Sequence, residues 1–584
     1  MRIRKIKIVN YRNFRDLELY PGQITVFIGE NNVGKSNLLY ALRLLLDPDS
    51  RRLESEISED DINDAARSEG ENSFSIAVEI GDLQKHQELE AVFMQRIAQD
   101  DDETYVTIEG KYEPDEEGEY NFKVQVLSPE GRYNEPILFL DRMRRQIPLF
   151  FLDAVRDAER EMRATGRGAL AQLLSDVELE DVEEDVLSNI RKANRALSKN
   201  RDINDLAENI RGLLSPHIPG GQGEISMTVA TEDPAQLVKG LHLTLKRQSD
   251  IKAYDMYKHG TGLQNLVLIA MFRHRISAGG GIQPILAIEE PEAHLHPQAQ
   301  RCLFKDIRKI DTPVLLTTHS PTIVECSDPV DIIRLTSNSR NQVTAQQIDQ
   351  SKMKKDDLRL IARMMRSGFA DAFFARAIII VEGPCEVIGL PAFADHIGYD
   401  LDRDGISVVP ANGNAFSSIL RFCSDDHFSV PTVVVFDTDA LESSDDLLNE
   451  AYKADLISEE TRRASKNETL GFRQKILKEI GWVPVVPNFE EEIARAGYLP
   501  SIIETIEEAG AMQSLKKFLT GNNLKKDAHG IAQYLNRSRR GKCLKVPVAH
   551  SVANEVETIR RVPDCFERAI KRGAELAAGG ETAI

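Results

Sequence analysis

Ile24-Thr-Val-Phe-Ile-Gly29-Glu-Asn31-Asn32-Val-Gly34-Lys35-Ser36-Asn37 is an apolar run, a glycine-bounded turn and a lysine–serine pair, continued by the helical run Leu38-Leu-Tyr-Ala-Leu-Arg-Leu-Leu-Leu46. The pattern is that of a P-loop in its required context, with a strand before it and a helix after it. Glycines let backbone N–H groups close around phosphate oxygens. Lys35 is expected to reach the outer phosphates, Ser36 to offer a hydroxyl to Mg²⁺, and the helix N-terminus to face the anion. Gly29, Asn31, Asn32, Gly34, Lys35, Ser36 and Asn37 are therefore the expected nucleotide-binding residues.

Two further strands end in polar groups suited to the same ligand. Pro284-Ile-Leu-Ala-Ile288 runs into Glu289-Glu290-Pro291-Glu292, and Pro313-Val-Leu-Leu-Thr-Thr-His319-Ser320 ends in a histidine. Carboxylates at a strand end can hold a metal ion or polarise a water. Glu289 takes the metal-side role in this reading, Glu290 the water-activating one, and His319 senses the terminal phosphate. Between the two halves, His259-Gly-Thr261-Gly262-Leu-Gln264-Asn265 is a small-residue loop that opens the apolar helix Leu266–Met271.

A second constellation follows. The strand Ala377-Ile-Ile-Ile-Val381 ends in Glu382-Gly383-Pro384-Cys385-Glu386; Ile406-Ser-Val-Val-Pro-Ala-Asn-Gly413 ends in a glycine turn; Thr432-Val-Val-Val-Phe-Asp437-Thr438-Asp439 ends in alternating aspartates. Glu386 lies about one helical turn beyond Glu382, so both can point into one crevice, and Asp437 and Asp439 share one side of an extended end. Hard oxygen ligands of this kind suit Mg²⁺ or Mn²⁺ and not Zn²⁺.

In order and spacing, the first set resembles the ABC/SMC-type ATPase head. That resemblance implies ATP sandwiched across a dimer, with Thr261, Gly262 and Gln264 in a divergent signature loop and Arg12, Asn13 and Phe14 lining the nucleotide pocket. Glu289 stands where P-loop ATPases more often carry aspartate, which predicts slow turnover. The second set, Glu-Gly-x-x-Glu followed by Asp-x-Asp, resembles the TOPRIM module, a doubly wound parallel sheet. A head followed by a TOPRIM domain resembles the OLD (overcoming lysogenization defect) nuclease family over essentially the whole chain. The resemblance implies an ATP-binding, metal-dependent DNA endonuclease using a two-metal site, frequently in antiviral defence, with Glu490 of Phe489-Glu-Glu-Glu-Ile493 as a further ligand and Glu492 second. It also implies a lysine offsetting charge on the scissile phosphate, matched by Lys545, with Lys542 as the alternative.

The expected architecture is thus α/β multidomain: an ABC-type head over 1–158 and 223–370, a helical insert over 159–222 with a dimerisation role, a TOPRIM domain with helical insertions over 371–555, and a C-terminal helix or tail over 556–584. With 93 acidic and 73 basic residues among 584, the formal charge is −20, so DNA contact must be local rather than by bulk charge. Lys525, Lys526, Arg537, Arg539, Arg540 and Lys542 are the local candidates. Six cysteines without a CxxC pair argue against a disulfide framework or a zinc site. The N-terminus lacks the apolar core of a signal peptide and no run of about 18 apolar residues occurs, so a cytoplasmic protein with no membrane partner is expected. Partners implied are DNA, a second copy or higher homo-oligomer, and, in part of the family, a helicase-like subunit. An SMC-like maintenance ATPase and a TOPRIM RNase are the competing readings.

Overall fold

The computed structural model describes residues 1–153, 180–197, 243–246, 252–278, 284–412, 415–438 and 446–579, with short breaks, and a few isolated positions between them. Most of the proposed insert over 159–222 lies outside the described residues; within it Glu180–Leu197 is a helix.

The N-terminal half is built on two sheets with a helix between them. Arg2–Tyr11 alternates buried and exposed side chains and pairs antiparallel with Phe14–Leu19 and Phe74–Gly81, which continues to Glu103–Pro114 and Tyr120–Val126. Ile24–Gly29, by contrast, is buried on both faces, as a central parallel strand must be. It lies in a six-stranded sheet of order 343–347, 332–337, 24–29, 314–317, 285–289, 149–152, parallel except at its 343–347 edge. Helix Lys35–Leu46 buries Leu38, Leu39, Leu42, Leu45 and Leu46 in the cluster that joins the two sheets.

The C-terminal half centres on a four-stranded parallel sheet of order 406–410, 377–381, 432–437, 483–485. Helices Pro384–His396, Lys545–Ile559 and Asp564–Ala577 share one apolar cluster with this sheet. Phe416–Cys423, Asp446–Lys453 and Leu470–Glu479 join the apolar cluster on its other face. Residues 564–577, expected as a helix or tail, form a helix in which Gly573 lies against Ile379 of the central strand.

No linker separates the two halves. One apolar cluster runs from Val26 and Ile28 of the P-loop strand through Ile361, Met365 and Phe373 to Ile378, Ile380 and Phe436 of the second sheet. Phe369, Phe373, Phe422 and Phe428 interlock there, with the Phe373 ring centroid 4.7 Å from that of Phe422 and 5.2 Å from that of Phe428. Arg334, buried on the strand beside the P-loop strand, donates to the Phe428 carbonyl at 3.2 Å and the Ala375 carbonyl at 2.5 Å. Phe373→Ala empties the centre of this seam and is expected to cost about 3–5 kcal/mol, read as a lowered midpoint in denaturant unfolding; an unchanged midpoint contradicts the packing described.

Candidate functional site

The P-loop turns where the backbone allows only glycine. Gly29 and Gly34 have φ of 149° and 109°, and a Cβ on either would collide with the Leu335 carbonyl or the Asn13 side chain. Buried Lys35 donates from Nζ to the Gly29 carbonyl at 3.0 Å and the Glu30 carbonyl at 2.9 Å, so its ammonium lies inside the loop. Burial pushes it down to about 8, against the pull of Glu290, Glu289 and Glu292. The Ser36 hydroxyl donates to Glu289, bringing the proposed metal-side pair together from residues 253 apart in sequence.

Glu290 has φ of 42°, an uncommon conformation for a non-glycine residue, and lies 3.8 Å from His319 Nε2. Burial, then Lys35, holds the His319 imidazole below its ordinary range, opposed by Glu290. Glu292, to which the sequence reading gave no role, accepts from the Thr318 hydroxyl at 2.7 Å and the His319 N–H at 2.8 Å, clamping one strand end to the other.

The remaining expected residues divide. Asn31, Asn32 and Ser36 are exposed at the loop, and Thr261 is exposed at the start of its helix. Gly262 lies so close to the His294 carbonyl that a side chain would not fit. Gln264 turns inward, its amide donating to the Tyr257 carbonyl at 2.6 Å and the His259 carbonyl at 2.7 Å, so in this chain it braces the loop. Asn37 accepts from Arg12 at 2.8 Å and donates to Asn13 at 2.9 Å, and Asn13 donates to the Val33 carbonyl at 2.7 Å. Arg12 and Asn13 thus hold the P-loop from beneath, whereas Phe14 is fully buried in the core and does not line the pocket.

In the second sheet, Glu382 and Asp437 stand at the carboxyl ends of adjacent central strands. The strand order reverses between these two, which is where doubly wound sheets open a crevice for ligands. Glu382 Oε1 accepts from the Asp437 N–H at 3.0 Å. Glu386, 4% exposed, accepts from the Gly383 N–H at 3.2 Å. Burial pushes its carboxyl up to about 8; Glu490 and Glu382 add to this and Lys545 opposes it. Asp439 lies outside the described residues.

Glu490 comes from the short helix Phe489–Ile493, N-capped by Asn488, whose side chain accepts from the Glu491 N–H at 3.0 Å. It is 2% exposed and pairs with Lys545 Nζ at 2.8 Å. Glu492 is only half-buried, and Lys542 is exposed on the neighbouring short helix. Of the alternatives left by the sequence, Glu490 and Lys545 are the pair that faces the cluster. Burial works against the Lys545 ammonium, but Glu490 outweighs it and holds its pKa above the ordinary value.

The donor set fits a hard divalent cation by type: every group is a carboxylate oxygen. Among the described residues, however, no three of these side chains converge as they stand on one ion position. Oxygens of Glu382 and Glu386 accept from backbone N–H groups, and those of Glu490 face Lys545 and Asn536. Ligation therefore requires side-chain rotation.

Comparison with known proteins gives two family matches: "AAA domain, putative AbiEii toxin, Type IV TA system" over residues 24–325, more than half of the chain, and "Overcoming lysogenization defect protein-like, TOPRIM domain" over residues 373–439. The chain is 24% identical over 494 residues to a Thermus scotoductus protein named OLD nuclease, covering 81% of this chain and 87% of that one. It is 22% identical over 464 residues to the Bacillus cereus protein named endonuclease GajA, covering 75% of each. Among solved structures, an SMC head bound to the C-terminal winged-helix domain of ScpA aligns at 14% identity over 60% of this chain and 99% of that one, with a TM-score of 0.39.

The lowered Lys35 value has a measurable consequence. Its charge is present below about 8 and is lost above it, and the charged form is the one a triphosphate favours. ATP affinity, measured without metal, is expected to hold near pH 7.5 and fall as the pH rises through 8 to 9.5. A flat profile contradicts this placement of Lys35.

Proposed function

This chain belongs to the AAA-domain family matched over residues 24–325 and carries an OLD-like TOPRIM domain, and from that footing we propose that it is an ATP-binding, divalent-metal-dependent DNA endonuclease. The observation that carries the reading is the meeting of Glu382, Glu386, Asp437 and Glu490 with Lys545 at the carboxyl edge of the second sheet. Glu386, Asp437 and Glu490 are buried and Glu382 half-buried; carboxylates gathered at one sheet edge repel one another, and a lysine alone does not neutralise four of them. The TOPRIM match and relatives named as nucleases support the same conclusion.

Glu382, Glu386, Asp437, Asp439 and Glu490 would hold Mg²⁺ or Mn²⁺, which when bound would supply activation of a water and stabilisation of the leaving oxygen. The chain's own groups do the rest. Lys545 Nζ offsets negative charge on the scissile phosphate, a preorganised cation in a half-buried setting. Exposed Lys525, Lys526, Arg537, Arg539 and Lys542, on and around the helices before Lys545, make backbone contacts without reading bases, so binding weakens with salt. In the head, Lys35, Ser36, Glu289, Glu290 and His319 bind and turn over ATP, with Thr261 and Gly262 presented to the nucleotide of a second copy. Defence against phage is the biological setting the reading implies.

The test is nicking of supercoiled plasmid with Mg²⁺ or Mn²⁺, with and without ATP. Glu382→Ala is expected to lose on the order of 10²-fold or more in nicking while still hydrolysing ATP, and Lys35→Ala to lose ATP hydrolysis while still nicking. Intact plasmid under every condition, or a Glu382→Ala protein that nicks at the wild-type rate, overturns the proposal.

A further inference from the structure

Asn536 is named by no motif. It lies near the end of helix Ala528–Arg537, in a stretch where the neighbouring basic residues attract attention and a lone asparagine does not. Its side-chain amide nevertheless closes a ring with the two residues that face the carboxylate cluster. Nδ2 donates to Glu490 Oε2 at 3.1 Å, Oδ1 accepts from Lys545 Nζ at 2.8 Å, and Lys545 Nζ in turn lies 2.8 Å from Glu490 Oε1.

The chemistry of the ring selects an asparagine. A carboxylate needs a donor and an ammonium needs an acceptor, and only a carboxamide offers both from one short planar group. Turning the amide over would set its NH₂ against the ammonium and its oxygen against the carboxylate, so one orientation is fixed by both partners at once. Aspartate would keep the oxygen toward Lys545 but set a second negative charge against buried Glu490. Leucine would fill the space and serve neither.

Lys545 needs such a holder. Its ammonium ends a flexible four-carbon stem, and its other contact, Glu490, is itself an expected metal ligand. A lysine tethered only to Glu490 would lose its fixed direction whenever that carboxylate turned towards a cation. Asn536 gives it an anchor that no step of the reaction consumes, and the bond from Nδ2 to Glu490 serves to fix which way the amide faces.

We infer that Asn536 is the positioning residue of the nuclease site, aiming the Lys545 ammonium at the scissile phosphate through the Asn536–Lys545–Glu490 ring. This rests on the nuclease reading above. It predicts a specific non-additivity, because a residue that acts through Lys545 has nothing left to do once the ammonium is gone.

The experiment is a double-mutant cycle of Asn536→Leu and Lys545→Met in plasmid nicking, alongside binding of a labelled duplex in chelator. Asn536→Leu is expected to slow the maximal rate about 10- to 100-fold, with the half-saturating DNA concentration and the metal-free duplex affinity within about threefold of wild type. The double variant is expected to nick no more slowly than Lys545→Met alone. Multiplying losses, or wild-type nicking by Asn536→Leu, overturn the inference. Should a melting curve show Asn536→Leu unfolded, Asn536→Ser takes its place with the same expectations. The two levels separate cleanly: a wild type that never nicks ends the nuclease reading and this inference with it, whereas a wild type that nicks and a Glu382→Ala that does not, combined with multiplying losses, ends only the role of Asn536.

Discussion

A buried guanidinium pins the seam between the two halves of this molecule. Arg334 sits on the strand beside the P-loop strand, in register with Ile28, and spends its N–H groups on the Ala375 and Phe428 carbonyls across the seam. Burial lowers its pKa to about 10, so it remains charged at neutral pH, with Cys423 and Glu30 favouring the charged form. While the seam stays packed, any slip of one half along the other would leave that buried charge without its acceptors, so the pairing fixes how the two halves register. A second link runs in parallel at the surface. Glu30, inside the P-loop, makes a two-point pair with Arg376 at 2.5 and 3.1 Å. Half exposed, that pair contributes little energy, but it joins the residue after Gly29 to the residue before the strand that ends in Glu382.

The same economy of charge explains the second site. Four acidic groups meet at a sheet edge in a protein already carrying a net charge of −20. Three of them have a local device that makes the crowding tolerable: Glu386 is held towards its protonated form, Glu382 accepts from a backbone N–H, and Glu490 has its two oxygens facing Lys545 and Asn536. These devices are what a bound cation would replace.

Much of this was legible in the chain because both sites use strand ends, and strand ends announce themselves. Five apolar residues followed by a carboxylate, as at Ile288-Glu289 or Val381-Glu382, specify a buried strand and a polar group at its mouth; a P-loop adds the glycines that only its backbone needs. What escaped were residues whose role depends on a partner far away in sequence. Arg334 is one charge in an otherwise apolar strand, Glu292 shares its loop with two more conspicuous glutamates, and Asn536 is an unremarked helix residue whose partners lie 46 and 9 positions away. Gln264 and Phe14 illustrate the complementary limit. Each stands among residues expected at the nucleotide site, but side-chain direction is set by packing, and both turn inward. The choice between Lys545 and Lys542, three residues apart, likewise turns on which helix face meets Glu490.

Placing the P-loop strand and the carboxylate strand in one packed body is the central claim, and calorimetry on the full chain tests it most directly. A single cooperative transition for the head and the TOPRIM sheet, moved as a whole to higher temperature by a non-hydrolysable ATP analogue, is the predicted result. Two separate transitions, with the nucleotide shifting only the one that belongs to the head, would contradict it.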